Sequence, residues 1–309
     1  SSTKERMSKG TKNILVFSRG SMIYSTQRLK YEAQKAGHSM EIIDHLYCLL
    51  VLGENGPELF HGFDRLGSFD VAIPRIGNSV TYMGATAVRF CEQMKIPCTI
   101  SSEGLLASRD KLRCYTMLNA HGIQIPRTVF ASPFNQEEDL LQDFENQKTV
   151  IKLLEGTQGV GVILAESPKT ARSILDTLNR LRKKVLIQEY IEEANGSDIR
   201  AFVVGKKVVA AMKRQAQPGD FRSNIHRGGE GKPIQLSDEE KRIALECCRI
   251  MNLDVAGVDI LRSNRGPLVL EVNPSPGLEG IERATKVNVA REILNHSVRM
   301  AETRRTKIF

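Results

Sequence analysis

No apolar run in the 309-residue chain approaches the ~20 residues needed to cross a bilayer. The polar start, residues 1–12, lacks the apolar stretch of a secretory signal. A cytoplasmic protein with no membrane partner is therefore expected. Met7 is a candidate natural start, so residues 1–6 carry no argument. The six cysteines, Cys48, Cys91, Cys98, Cys114, Cys247 and Cys248, form no CxxC pair and no His/Cys cluster with zinc spacing, which leaves reduced thiols. Cys247 and Cys248 lie in an apparent helix and read as small buried apolar groups. Aromatic residues are only 6% of the chain and do not interleave with the basic clusters at 180–184 and 304–305, so no platform for stacking bases is expected. Nucleic acid is thus a disfavoured partner.

What remains is the composition of an ordinary globular protein, 41% hydrophobic and 26% charged, with no repeat and no low-complexity segment. The formal charge of +8 is dispersed, which suits solvated helix ends or attraction of acidic ligands. Early segments alternate as strand (13–18), helix (24–36, stopped by Gly37), strand (40–44), strand (71–74), helix (81–94) and strand (97–100), a βαβ pattern that predicts a small parallel sheet. A helix follows over 105–121, ended by Gly122 and Pro126. Short strands are then predicted at 149–154, 160–166, 185–191, 199–204 and 208–213. Helices are expected at 170–182, 238–251 and 288–303. The fold class is α/β followed by α+β. The expected organisation is a tail (1–12), an α/β unit (13–103), an α+β lobe with a glycine-rich flap (104–191), a second lobe with a carboxylate hairpin (192–303) and a tail (304–309).

Residues 255–277, VAGVDILRSNRGPLVLEVNPSPG, read as two strands around a turn. A three-residue loop at 264–266 with Gly266 left-handed would set Asp259 opposite Glu271. Cβ atoms at such positions lie ~5 Å apart, so the two carboxylates repel unless one is protonated or a cation lies between them. Asn273 falls on the same face by strand alternation. Three hard oxygen donors on one side suit magnesium, which keeps water and takes phosphate oxygens. Upstream, KLLEGTQGVGV (152–162) places Gly156, Gly159 and Gly161 between two strands, a flap able to close over a nucleotide. It lacks the GK[ST] ending of a P-loop. Lys152, on the strand entering the loop, could reach a phosphate. Asp198 and Arg200 share a strand face and could pair with each other. Arg214, Arg222 and Arg227 supply planar forks for carboxylate or phosphate. His226 has no partner at recognisable spacing, and neither a GxSxG elbow nor HRD and DFG signatures are present.

The order Lys111, Lys152, EGTQGVGV, QEYI, Asp198-Ile-Arg200, FRSNIHRGG, Asp259 and Glu271-Val-Asn273 resembles the ATP-grasp superfamily and, within it, RimK-type α-L-glutamate ligases. The resemblance implies an N-terminal preATP-grasp domain with a parallel sheet and two lobes holding ATP between them. It implies that Lys111, Lys152 and the glycines meet the phosphates, that Glu189, Tyr190 and Ile191 receive adenine, and that Asp198 holds the ribose side. Arg222, Ser223 and Asn224 would lie over the phosphates and reacting groups. Asp259, Glu271 and Asn273 would bind two Mg2+ or Mn2+ ions, and Lys152, Arg214, Arg222 and Arg227 would stabilise the reacting anions. The implied reaction joins L-glutamate to a peptide or protein C-terminal carboxylate, a small-subunit ribosomal protein among them, or to glutamate itself; a homo-oligomer is compatible. Pro274 stands where the bacterial ribosomal type typically has Ala, a departure that bears on the acceptor. Three other readings stay open: a ligase for another amino acid or small acid, a kinase-like phosphotransferase, and a non-catalytic RNA- or ribosome-binding protein.

Overall fold

The computed structural model describes residues 10–132, 134–144, 146–154, 161–221 and 230–307. β1 (Asn13–Phe17) forms because ILVF, residues 14–17, is apolar throughout and can be covered on both faces, and β2 (Ser39–Ile43) pairs with it in parallel. The chain then makes an antiparallel meander, β3 (Cys48–Gly53), β4 (Gly56–His61) and β5 (Asp64–Arg65), before β6 (Val71–Pro74) returns parallel to the other side of β1. Strand alternation sends Leu15 and Phe17 into one core and Ile14 and Val16 into another. The helix Tyr24–Lys35 covers the second face and ends where Gly37 takes φ +81.

Two expectations in this region need correction. Residues 97–100 form isolated bridges, Ala72 to Cys98 and Ile100 to Leu253, because the chain bends at Thr99 and changes partner there. The helix expected over 105–121 is two helices, Ser102–Arg109 and Lys111–Ala120. Asp110 breaks it by leaving helical geometry and accepting a hydrogen bond from the Arg113 amide, as a new N-cap. The first of these helices packs tightly on helix Asp238–Met251. A Cβ on Gly104 would lie 2.1 Å from the Met251 carbonyl oxygen. Gly104→Ala is therefore expected to lower stability by about 1–3 kcal/mol, read as a lower urea midpoint at unchanged slope.

The next unit is an antiparallel sheet of β7 (Thr128–Ala131), β8 (Thr149–Leu153), β9 (Val162–Ala165) and β10 (Val185–Glu189), in the order β7-β10-β8-β9. Helix Pro168–Arg180, capped by Ser167, packs on it, and the unit has its own small core around Phe144, Ile151 and Ile187. A five-stranded sheet follows, made of β11 (Ser197–Val204), β12 (Lys207–Gln215), β13 (Glu230–Pro233), β14 (Val255–Ser263) and β15 (Gly266–Asn273). Its order is β13-β12-β11-β14-β15. This sheet shares both large cores with the N-terminal parallel sheet, whereas the four-stranded lobe is packed separately. Short helix Glu279–Thr285 and long helix Val289–Lys307 close the chain. Among the described residues no helix is long and apolar enough to cross a membrane.

Candidate active site

A cavity of about 1460 Å³ lies where the three units meet, lined by Arg75, Lys111, Lys152, Tyr190, Asp259 and Glu271 among others. Its floor is one rung of the large sheet. Arg200 on β11 stands opposite Asp259 on β14, which stands opposite Glu271 on β15, and two residues earlier on β11 Asp198 faces Arg214. Asp198 and Arg200 share a face with Phe202 and Val204, at the end of β11 where the core gives way to the cavity. They do not pair with each other. Arg214 clasps Asp198 with two bonds of 2.8 and 2.6 Å, and Arg200 clasps Asp259 at 2.8 and 3.0 Å. Arg214 also reaches Asp259 at 3.0 Å.

All four side chains are buried, and together their formal charges cancel. Burial alone would raise the Asp259 carboxyl, but Arg200 and Arg214 outweigh it and hold it below the usual carboxylate range. Burial likewise works against the Arg214 charge, and Asp259 and Asp198 more than restore it. Gly257 lies close beside this network, where a Cβ would sit 3.1 Å from Arg200 Nε and from Pro276 Cβ.

The hairpin holds the register expected from the sequence for a different reason. Ser263 pairs with Gly266, so the turn is one residue tighter than expected, and the offset is restored by a bulge at Leu270. Gly266 does take positive φ, +99. The bulged Leu270 carbonyl accepts a 2.6 Å bond from Tyr115 Oη on helix Lys111–Ala120. Glu271 lines the cavity as an exposed carboxylate, and Asn273 Oδ1 accepts from the Ser275 amide. No group of three His, Cys, Asp or Glu capable of holding a metal occurs among the described residues. The donor set is instead two carboxylates and one amide oxygen on a single side, which fits an ion that keeps water and phosphate ligands.

Across the cavity, Lys152 on β8 is buried, with its ammonium donating to Gln188 Oε1 at 3.0 Å. Gln188 donates in turn to Thr128 Oγ1 at 3.0 Å and Tyr115 Oη at 3.3 Å. Lys152, Gln188, Tyr115 and the Leu270 carbonyl thus form one chain of hydrogen bonds from the four-stranded lobe to the hairpin. Burial, followed by the charge of Lys111, lowers Lys152 to about 8, against the pull of Glu271. A buried cation with no carboxylate in contact among the described residues is matched by an anion arriving from outside. Tyr115 was missed by sequence reasoning because a tyrosine inside a helical pattern carries no signal of its own.

Further along β10, Glu189 accepts from the Arg127 amide at 2.8 Å and forms an ion pair with Arg265 in the hairpin turn. Tyr190 meets Phe221 edge to face at 6.3 Å, and Ile191 is buried against Leu268. Gly161 has φ +79 and sits against Leu153. Gly156, Gly159, Arg222, Ser223, Asn224, His226 and Arg227 lie outside the described residues.

Residues 13–105 match the family model described as the RimK PreATP-grasp domain, and residues 108–297 match the RimK-like ATP-grasp domain. The chain belongs to the RimK-like ATP-grasp family. Among RimK-like relatives, a protein of Vibrio atlanticus (strain LGP32) named "Probable alpha-L-glutamate ligase" is 48% identical over 277 residues, 90% of this chain and 92% of its own. One of the same name from Saccharophagus degradans is 47% identical over 294 residues, covering 95% and 98%. The ATP-grasp ligase PsnB, solved with its minimal precursor, superposes with a TM-score of 0.75 at 18% identity, covering 94% of this chain and 99% of that one. With minimal precursor, Mg and ADP it scores 0.74 at 18% identity, covering 94% and 97%. These superpositions establish the ATP-grasp fold.

Proposed function

We propose that the protein is an ATP-dependent carboxylate–amine ligase that adds L-glutamate to an acceptor carboxylate through an acyl phosphate. The observation that carries this reading is the placement of Lys152, a buried cation lowered in pKa that lines the same cavity as the Asp259–Glu271 hairpin. The names of the two relatives supply the amino acid. In the first step an acceptor carboxylate oxygen attacks the γ-phosphorus of ATP, and the bond to the ADP oxygen breaks. In the second, the glutamate amine attacks the acyl carbon, loses a proton, and phosphate leaves. Bound Mg2+ or Mn2+, one ion or two, would be held by Glu271, Asn273 and the lone pairs that Asp259 has to spare, and would neutralise phosphate charge.

Lys152 and Lys111 take the phosphates, and the strand end at Glu189, Tyr190 and Ile191 takes the base. Asp198 stands on the ribose side while orienting Arg214. Arg214 offers its charge to the anionic intermediate, joined by Arg222, Ser223, Asn224 and Arg227, with Gly156, Gly159 and Gly161 in the flap. Units 13–103, 104–191 and 192–303 divide these tasks. The separate core of the four-stranded lobe lets it close on the other two and keep water from the acyl phosphate. The acceptor is a peptide or protein C-terminus, a ribosomal protein being one candidate, or glutamate itself. An ATP-consuming reaction and reduced thiols suit the cytoplasm.

Hydroxylamine supplied in place of glutamate tests the intermediate. With Mg-ATP and acceptor it is expected to yield a hydroxamate, and Glu271→Gln to lower that yield by about 100- to 1,000-fold. A stable phosphorylated product with no hydroxamate would point to a phosphotransferase.

A further inference from the structure

Two arginines of the cavity take no part in the network on its floor. Arg75 directly follows β6, and Arg109 is the last residue of helix Ser102–Arg109. Arg75 Nη2 donates to the Pro276 carbonyl. Arg109 donates to the carbonyls of Ile76 and Gly77, the latter at 2.9 Å, and to Thr81 Oγ1 at 2.9 Å. Every hydrogen bond described for the pair therefore goes to a neutral oxygen. These bonds hold both forks in place and leave the Arg75 Nε and Nη1 and the Arg109 Nε without a described acceptor.

Burial, and secondarily the charge of Arg109, lowers Arg75 to about 10. Burial likewise lowers Arg109 to about 10, with Glu271 opposing. The start of helix Thr81–Gln93 adds positive potential beside them. Its first turn has neither an acidic residue nor a side-chain cap, and Thr81 and Tyr82 line the cavity. Lys111 and Lys152 already answer the phosphates, so this second cationic wall calls for a second anion.

We propose that Arg75 and Arg109 form a carboxylate subsite that holds a non-reacting carboxylate of the incoming amino acid and so selects an acidic one. The inference rests on the ligase reading above. An amino acid that reacts through its amine carries its carboxylates intact through the reaction, and a dicarboxylic one has two. A fixed guanidinium fork matches such a group with parallel charge-assisted bonds. Ser275 Oγ, accepting from the Ile76 amide at 3.0 Å, braces this wall against the segment that leaves Asn273. The subsite is thereby tied to the hairpin that carries Glu271.

Calorimetric titration of L-glutamate, and separately of L-glutamine and glutamate α-amide, into the protein saturated with Mg-AMPPNP tests this without requiring turnover. Wild type is expected to bind glutamate, and at least one amide about tenfold more weakly or worse. Arg75→Gln and Arg109→Gln should each lose about tenfold in glutamate affinity, the loss of a charge-assisted bond, with nucleotide affinity retained as the sign of a folded site. The charge-retaining Arg75→Lys and Arg109→Lys serve if a glutamine variant fails to fold, and should fall between. Unchanged glutamate affinity in folded variants, a loss seen only with the acceptor peptide, or no acidic amino acid bound by wild type would overturn the assignment. Glutamate binding without any glutamate-dependent ADP release would instead keep the subsite and sink the ligase reading.

Discussion

Asp259→Ala is expected to cost about 3–5 kcal/mol of stability, because it strands buried positive charge. Asp198, Arg214, Asp259 and Arg200 are all buried and cancel in formal charge; without Asp259 the network carries one uncompensated guanidinium. Arg200→Met combined with Asp259→Leu leaves the neutral Asp198–Arg214 pair. That double variant should recover most of the lost stability while remaining inactive. Chemical denaturation of wild type, Arg200→Met, Asp259→Leu and the double variant gives the coupling directly. Equal, additive losses would mean the network is not a unit.

Lys152→Met is expected to do the opposite to stability. The ammonium is buried against Gln188 and lowered from 10.5 to about 8, a penalty of about 3 kcal/mol at ~1.4 kcal/mol per factor of ten in proton affinity. A lysine depressed in the folded state binds its proton less tightly there than when unfolded. The penalty is therefore complete below pH 8 and is relieved as pH rises from about 8 to 10.5. Ligand-free wild type should gain stability over that window, relative to a Lys152→Met variant that lacks the term. At pH 7 the variant should be the more stable protein, yet turn over about 100- to 1,000-fold more slowly for want of the phosphate-facing charge. Melting curves of the two proteins at several pH values, paired with ADP release, check both halves. A variant both less stable and fully active would refute the role given to Lys152.

Apolar runs such as ILVF (14–17) and the helical pattern over 238–251 made the main elements legible, because local pattern and tertiary burial agree there. The facing of Asp259 and Glu271 was legible too, but the turn expected to produce it was wrong. The bulge at Leu270 offers its carbonyl to Tyr115, 155 residues away, and no local signal marks it. The split at Asp110 was hidden by an apolar period that runs through both helices. The meander β3 to β5 has exposed apolar residues such as Leu49 and Leu52, so its strands show no clean alternation. Asp198 and Arg200 looked like partners on one strand; register gave each a partner on a neighbouring strand instead. Cross-strand partners depend on topology, which residue spacing along one strand does not contain.

ADP release with Mg-ATP and acceptor, measured with and without L-glutamate and followed by mass spectrometry of the products, tests the central claim most directly. The account predicts release that depends on glutamate and products heavier by one glutamyl increment or several. Glutamate-independent release with a phosphorylated product, or no Mg-ATP binding at all, would contradict it.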